Sequence, residues 1–288
     1  MAGDTVRMAL YPGCLILQRM PKYEQAARAV LGELGIAPQI VQEAACCGAP
    51  VVESFTADWV HLSIYNLALV ERMGCDTVVT LCGSCTNALI RASHALQDAD
   101  LRTEANRRLQ RVSPDLMATD TVTVKHLVRL LAEREGELRA RMVRQLPLRV
   151  ALTNPCQVFR PGDVVGIEGE DPMHPQAMRR LVELTGAQAV EYGESGDAEN
   201  ECCGATLYLA APKLSLAAGR RKLEATHRCS ADLLLQGCGN SQLLLRNFQS
   251  AFLRDAPDLH QPALFLPQLL GLAMGLPKEA LGLRENLL

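Results

Sequence analysis

Two adjacent cysteine pairs, Cys46-Cys47 and Cys202-Cys203, are each followed by Gly-Ala. Each pair stands 34 residues before another cysteine, Cys82 or Cys238. Upstream, Cys14 ends the run Leu10-Tyr-Pro-Gly, and Cys156 ends the run Leu152-Thr-Asn-Pro. The first set closes with Cys82-Gly-Ser-Cys85. Thiols at such spacing bind soft metals as thiolates or exchange disulfides. The chain holds 11 cysteines, an odd number. Residues 1–5 run into an apolar stretch without the basic and apolar regions of a secretory leader. A secreted disulfide framework is therefore not expected, whereas a metal or redox site is.

The adjacent pair argues against a single structural zinc ion. Zinc takes four ligands in a tetrahedron, typically from spaced pairs. Cys14, Cys46, Cys47, Cys82 and Cys85 are one too many, and neighbouring side chains converge poorly on one small ion. An iron–sulfur cluster offers several ligation points and accepts both members of a pair. Iron–sulfur is thus the expected cofactor. The rivals are a structural zinc site, which would be colourless, and a thioredoxin-like dithiol at Cys82 and Cys85.

These residues sit in a tandem repeat. Residues 76–83 align with 232–239, and 8–14 with 150–156. Between Cys156 and Cys202 lie 45 residues, against 31 between Cys14 and Cys46, so the second half carries an insertion, placed at 161–170. Short apolar strands are expected at 6–11 and 148–153. Helices follow at 22–34 and 175–184, stopped by Gly35 and Gly186. Further strands are expected at 36–41 and 188–192, helices at 57–73 and 212–228, and buried strands at 77–81 and 232–236. Helices then start near Cys85 and Ser241, and each half ends in a strand and helix, at 122–133 and 264–274. A helix over 125–145 matches its shorter counterpart least.

Strands alternating with helices give an α/β fold: two tandem Rossmann-like repeats with largely parallel sheets and the cysteine loops at strand ends. The expected domains are 1–146, with the complete five-cysteine site, and 147–288. In the second domain Cys156, Cys202, Cys203 and Cys238 form the site, and Ser241 replaces the fifth cysteine.

Composition narrows the function. A chain of 288 residues that is 48% hydrophobic can bury a large core. A net charge of -3 with dispersed Lys and Arg excludes nucleic-acid binding as the main task. Arg107-Arg108 and Arg220-Arg221-Lys222 read as solvated helix faces. The longest apolar stretch, 264–276, contains Pro267 and is too short to span a bilayer. A soluble, cytoplasmic protein is expected.

The pattern of Cys14, Cys46-Cys47-Gly48, and Cys82-x-x-Cys85, together with Leu10-Tyr-Pro-Gly and Met73-Gly74-x-Asp76, resembles the CCG domain found twice in the B subunit of heterodisulfide reductase. The similarity covers nearly the whole chain, and related tandem copies occur in glycolate-oxidase and fumarate-reductase subunits. The resemblance implies a noncubane 4Fe-4S cluster at each complete motif and cleavage of a disulfide by the clusters. It also implies electrons from a C-type ferredoxin-like subunit, itself fed by a flavin-bearing A-type subunit. The chain has no ferredoxin-like cysteine run and no G-x-G-x-x-G, so these partners are separate proteins. Ser241 departs from the family pattern. The second site then holds an altered noncubane, a cubane or a labile cluster. This divergence suits the heterodisulfide-reductase-like complexes of sulfur oxidisers, which handle sulfur on a carrier protein. The alternative is an electron-transfer subunit of a glycolate-oxidase-like or fumarate-reductase-like complex. An open site beside the first cluster would favour the enzyme, and a fully covered one the relay.

Other residues read more blandly. Cys75 and Cys229 are expected as small buried hydrophobes. The histidines show no metal-ligand spacing. Gln18, Arg19, Lys22, Gln157 and Arg160 follow the first cysteines and are candidates for a pocket mouth that attracts an anion. Gly48 and Gly204 would bring backbone close to the clusters. Pro12 and Pro155 would stiffen the turns before Cys14 and Cys156.

Overall fold

The computed structural model of the protein describes residues 7–284. Val6, where the first strand is expected to begin, and residues 1–5, where no leader is expected, lie outside them. The first half runs β1 (Met8–Tyr11), α1 (Cys14–Arg19), α2 (Pro21–Glu33), β2 (Gln39–Ile40), α3 (Trp59–Arg72), β3 (Thr77–Thr80), α4 (Gly83–Ala95), α5 (Ala99–Val112), β4 (Thr123–His126), α6 (Leu127–Glu133) and α7 (Glu135–Arg141). The second half runs β5 (Arg149–Thr153), α8 (Cys156–Phe159), α9 (Gly162–Val165), α10 (Ala177–Glu183), β6 (Gln188–Val190), α11 (Pro212–Arg228), β7 (Leu233–Gln236) and α12 (Gly239–Gln242). A π-helical turn (Leu243–Asn247), α13 (Gln249–Phe252), β8 (Ala263–Phe265) and α14 (Leu266–Ala273) complete it.

The strands form two four-stranded parallel sheets, ordered β2-β1-β3-β4 and β6-β5-β7-β8. The register repeats: Ala9 pairs with Val78, and Ala151 with Leu234. A polar clasp repeats too. The Asp76 carboxylate accepts from the Arg7 amide at 3.2 Å, and Asp232 accepts from Arg149 at 2.7 Å. In the first sheet, alternate strand residues face opposite sides, as pleating demands. Leu10 and Val79 point one way, Ala9, Tyr11 and Val78 the other.

That alternation sorts three clusters of buried side chains. Ala9, Val78, Leu67 of α3, Leu89 of α4 and Leu109 of α5 fill one outer face. Ala151, Leu234, Leu223 of α11 and Leu245 fill the other. The largest cluster lies between the sheets and draws on both halves: Leu10, Val79, Leu31 and Leu131 meet Leu152, Leu235, Leu181 and Leu270. Helix α2 packs on α14, and α6 on α10, across the repeat boundary. Tyr23 of α2 stacks on Phe265 with ring centroids 3.8 Å apart. The two halves therefore share one central layer of helices.

Two helical expectations need correction. The expected helix 125–145 begins as strand, because Lys125 and His126 pair with Val79 and Thr80, and it breaks at Arg134 between α6 and α7. Helix α5, which the repeat pattern did not announce, buries only Ala105 and Leu109.

Candidate cysteine centre

Parallel strands point all their carboxyl ends to one edge, and the cysteine loops gather there. Beyond β1, the turn through Pro12 and Gly13 leads Cys14 into the first turn of α1. Beyond β3, Cys82 is the N-cap of α4 and Cys85 lies in its first turn. The loop with Cys46 and Cys47 follows β2 and is held by three side chains. Tyr11 Oη donates to the Ala45 carbonyl at 2.7 Å, the Ala45 amide donates to Asn66 Oδ1 at 2.9 Å, and Ser63 Oγ donates to the Cys47 carbonyl at 2.9 Å. Nothing in the cysteine spacing points to Tyr11, Ser63 or Asn66.

Gly48 and Gly204 both take left-handed backbone, with φ of +87° and +85°. Side chains there would strike the start of the following helix: a Cβ on Gly204 would sit 2.7 Å from the Ser215 carbonyl oxygen, and one on Gly48 3.1 Å from Trp59 Cβ. The close approach of these two glycines is to the helix. Behind each pair the same amide contact recurs. Gly48 N–H points at Cys46 Sγ at 3.5 Å and Gly204 N–H at Cys202 Sγ at 3.3 Å.

All 11 cysteines are free thiols. The five of the first motif stand in a row of mutual hydrogen bonds. Cys14 Sγ donates to Cys46 Sγ at 3.6 Å. Hydrogen bonds from Cys14 and Cys47 hold Cys46 well below the usual thiol range. Cys47 is pushed up to about 12, chiefly by donating to Cys46. Hydrogen bonds from Cys238 and Cys85 likewise lower Cys82, and Cys85 is raised as a donor to Cys47 and Cys82. Cys46 and Cys82 are thus the two lowered thiols of the row, and the raised pair Cys47 and Cys85 stands between them. Cys14 and Cys46 are exposed at one end, whereas Cys47, Cys82 and Cys85 are buried.

Cys238, assigned by sequence to the second set, reaches across to the first. Its thiol donates to Cys82, and its sulfur accepts from the Gly83 amide at 3.3 Å. It also lines a cavity with Cys156, Cys202, Cys203 and Ser241. Burial pushes Cys203 up to about 12 and raises Cys156. Ser241 is buried, and its hydroxyl donates to the Cys238 carbonyl at 3.4 Å. Polar contacts lock the two loops together: Ser84 bonds Gln157, Asn240 Nδ2 donates to Ser84 Oγ at 2.7 Å, and Asn87 Nδ2 donates to the Arg160 carbonyl at 3.3 Å. The Arg160 guanidinium donates to the Asn200 carbonyl at 2.8 Å. Gln157 lines that cavity, as expected, and also braces the repeats, whereas Arg160 is absent from the cavity wall and only braces; Gln18, Arg19 and Lys22 are exposed beside Cys14.

Lys222 overturns its expected place on a solvated face. It is 2% exposed, donates to the Ala198 carbonyl, and lies 5.7 Å from the Tyr192 ring centroid. Burial lowers its ammonium to about 8, against the pull of Cys203 and its neighbours. Cys75 is buried as expected, and Cys229 is half-buried with its thiol 3.1 Å from the Thr226 carbonyl.

Among the described residues, no three or more His, Cys, Asp or Glu side chains are arranged about a single ion. A row of sulfurs with separate ligation points suits a multi-iron cluster better than mononuclear zinc. The buried cation beside the second set suits an anionic iron–thiolate group. The donor set therefore fits iron–sulfur.

Comparison with known proteins agrees. The cysteine-rich CCG domain matches residues 8–90 and again 150–246. The B subunit of the ferredoxin:CoB-CoM heterodisulfide reductase of Methanosarcina mazei is 30% identical over 97% of this chain and 93% of its own. The 8-methylmenaquinol:fumarate reductase membrane anchor subunit of Wolinella succinogenes is 27% identical over 97% of this chain and 96% of its own. A crystal structure of a hypothetical protein from Helicobacter pylori superposes with a TM-score of 0.70 at 16% identity, covering 97% of this chain and 51% of that one, which speaks for the fold alone. The chain belongs to the family of tandem CCG proteins that includes the heterodisulfide reductase B subunits, and family membership implies iron–sulfur clusters. No helix among the described residues is long and apolar enough to cross a membrane.

Proposed function

We propose that this protein is the iron–sulfur B subunit of a heterodisulfide-reductase-like complex, reducing or oxidising a disulfide, a persulfide or carrier-bound sulfur. The reaction site is a noncubane 4Fe-4S cluster on Cys14, Cys46, Cys47, Cys82 and Cys85. A second cluster sits on Cys156, Cys202, Cys203 and Cys238, with Ser241 at the fifth position. The carrying observation is the open end of the first sulfur row, where Cys14 and Cys46 lie 3.6 Å apart and exposed. A relay needs no such opening, whereas a sulfur substrate does. The cluster, when bound, supplies one-electron chemistry at sulfur. The chain supplies the rest. Cys47, Cys82 and Cys85 anchor the buried side, Tyr11, Ser63 and Asn66 fix the loop of the paired cysteines, and Cys14 and Cys46 face the substrate.

In this reading the protein works in the cytoplasm, and its electrons come from a ferredoxin-like C-type subunit and a flavin-bearing A-type subunit. Residues 1–146 and 147–288 are its two cluster-bearing repeats. A second reading, an electron-transfer subunit without its own substrate, draws on the name of the Wolinella relative. Anaerobic purification with iron, sulfide and zinc analysis tests both, joined to electron paramagnetic resonance of the oxidised protein with a thiol added. About eight irons per chain and a thiol-dependent signal are expected for two 4Fe-4S clusters. Iron without any response to thiols would favour the relay, and zinc alone would exclude both.

A further inference from the structure

Helix α11 turns a lysine inward where its counterpart α3 turns an asparagine. Asn66 lies 18 residues after Gly48, and Lys222 lies 18 after Gly204. Both are buried. Asn66 is neutral and spends its amide on backbone, accepting from Ala45 and donating to the Leu62 carbonyl at 3.0 Å. Lys222 brings a charge. The carboxylates near it in the chain are paired elsewhere: Glu201 with Arg221 at 2.9 Å and Glu199 with Arg179 at 2.7 Å. Among the described residues, Lys222 makes no ion pair, and a buried cation in that state is costly. The Cys203 sulfur acts on it electrostatically most strongly, then Glu201, whose carboxylate is shared with Arg221, then Cys156 and Cys202 of the same site. The same site has a serine hydroxyl where the first has the Cys85 thiol. The lysine makes the surroundings of the second site less negative than those of the first.

We infer that Lys222 is the fixed counter-charge of the second cluster site and makes that site the more oxidising of the two. This inference rests on the iron–sulfur reading above. A buried positive charge stabilises the reduced, more negative state of a bound redox group. Electrons shared between the sites then collect at the second. The first, open to substrate at Cys14 and Cys46, is left as the stronger reductant.

The test is a potentiometric titration of the iron-loaded full chain, followed by paramagnetic resonance, with S241C used to assign the second-site signal. In the unmodified protein, the second site is expected to reduce at the higher potential. In K222M its reduced-to-oxidised ratio should fall at least roughly tenfold, about 59 mV for a one-electron couple, while the first site stays put. K222R should restore most of the shift, because it keeps the charge. Full iron in K222M with both midpoints unchanged would overturn the inference. So would an unmodified protein whose second site is the harder to reduce, a result that does not depend on K222M folding. An unmodified protein without iron would instead sink the cluster reading, and the inference with it; metal analysis separates that failure before any titration begins.

Discussion

At the scale of single residues, the supports of the cysteine loops matter as much as the cysteines. Tyr11 ties the first strand to the Ala45 carbonyl, one residue before Cys46. Tyr11→Phe leaves that carbonyl without its donor and should cost about 1–3 kcal/mol, read by denaturant unfolding of the metal-free chain. His126 makes a pH prediction. It is fully buried, its Nδ1 accepts from the Val128 amide as the cap of α6, and burial lowers it to about 4. Unfolded, it titrates near 6.5. Protonation is therefore easier in the unfolded chain, so stability is complete above pH 6.5 and is lost as pH falls toward 4. The loss is on the order of 3 kcal/mol. H126N keeps a capping oxygen without titrating. The stability difference between the two proteins should therefore change by about that amount between pH 7 and pH 4. A constant difference would show that His126 is not held neutral by burial. The gathering of the first-motif cysteines was legible because thiols are rare and their spacing repeats. Lys222 was not, because it follows Arg220 and Arg221, and only the helical phase of α11 separates a buried lysine from its solvated neighbours.

At the scale of elements, what was legible is what physics writes locally. Short apolar runs placed β1, β3, β5 and β7 to within a few residues. The expected helix 212–228 coincides with α11. Helix α5 escaped notice because its sequence, rich in arginine, presents just two side chains to the core. The strand character of Lys125 and His126 comes from pairing with β3, which no local pattern reveals. The turns after the paired cysteines give a prediction. Gly204→Ala meets a left-handed backbone and a carbonyl oxygen at 2.7 Å, whereas Gly48→Ala meets a side-chain carbon at 3.1 Å. Both should destabilise by about 1–2 kcal/mol from backbone strain alone. The Gly204 variant should melt lower, because the Ser215 carbonyl belongs to the helix backbone and cannot yield. Equal melting temperatures would contradict this account.

At the scale of the whole molecule, the repeat is more intimate in space than in sequence. The spacing of motifs suggests two domains in a row, yet the largest buried cluster takes Leu31 and Leu131 from one half and Leu181 and Leu270 from the other. Residues 1–146 produced alone would leave one face of their sheet and helices α2 and α6 without cover. Such a fragment should show no sharp thermal transition by circular dichroism; a cooperative melt would mean that the half-chain stands alone. The sequence could not reveal this, because an inward helix face looks the same whichever half supplies its partner.

The shared helix layer needs no metal to hold it together, since leucine and valine contacts fill it. If iron is bound at the strand ends, stripping it with a chelator under oxidising conditions should leave the helical signal in circular dichroism largely unchanged, since the apolar layer holds the halves together. The scaffold then survives the cofactor. Oxygen damage becomes an injury to cargo, open to salvage by fresh iron and sulfide, and the chain need not be degraded and made again.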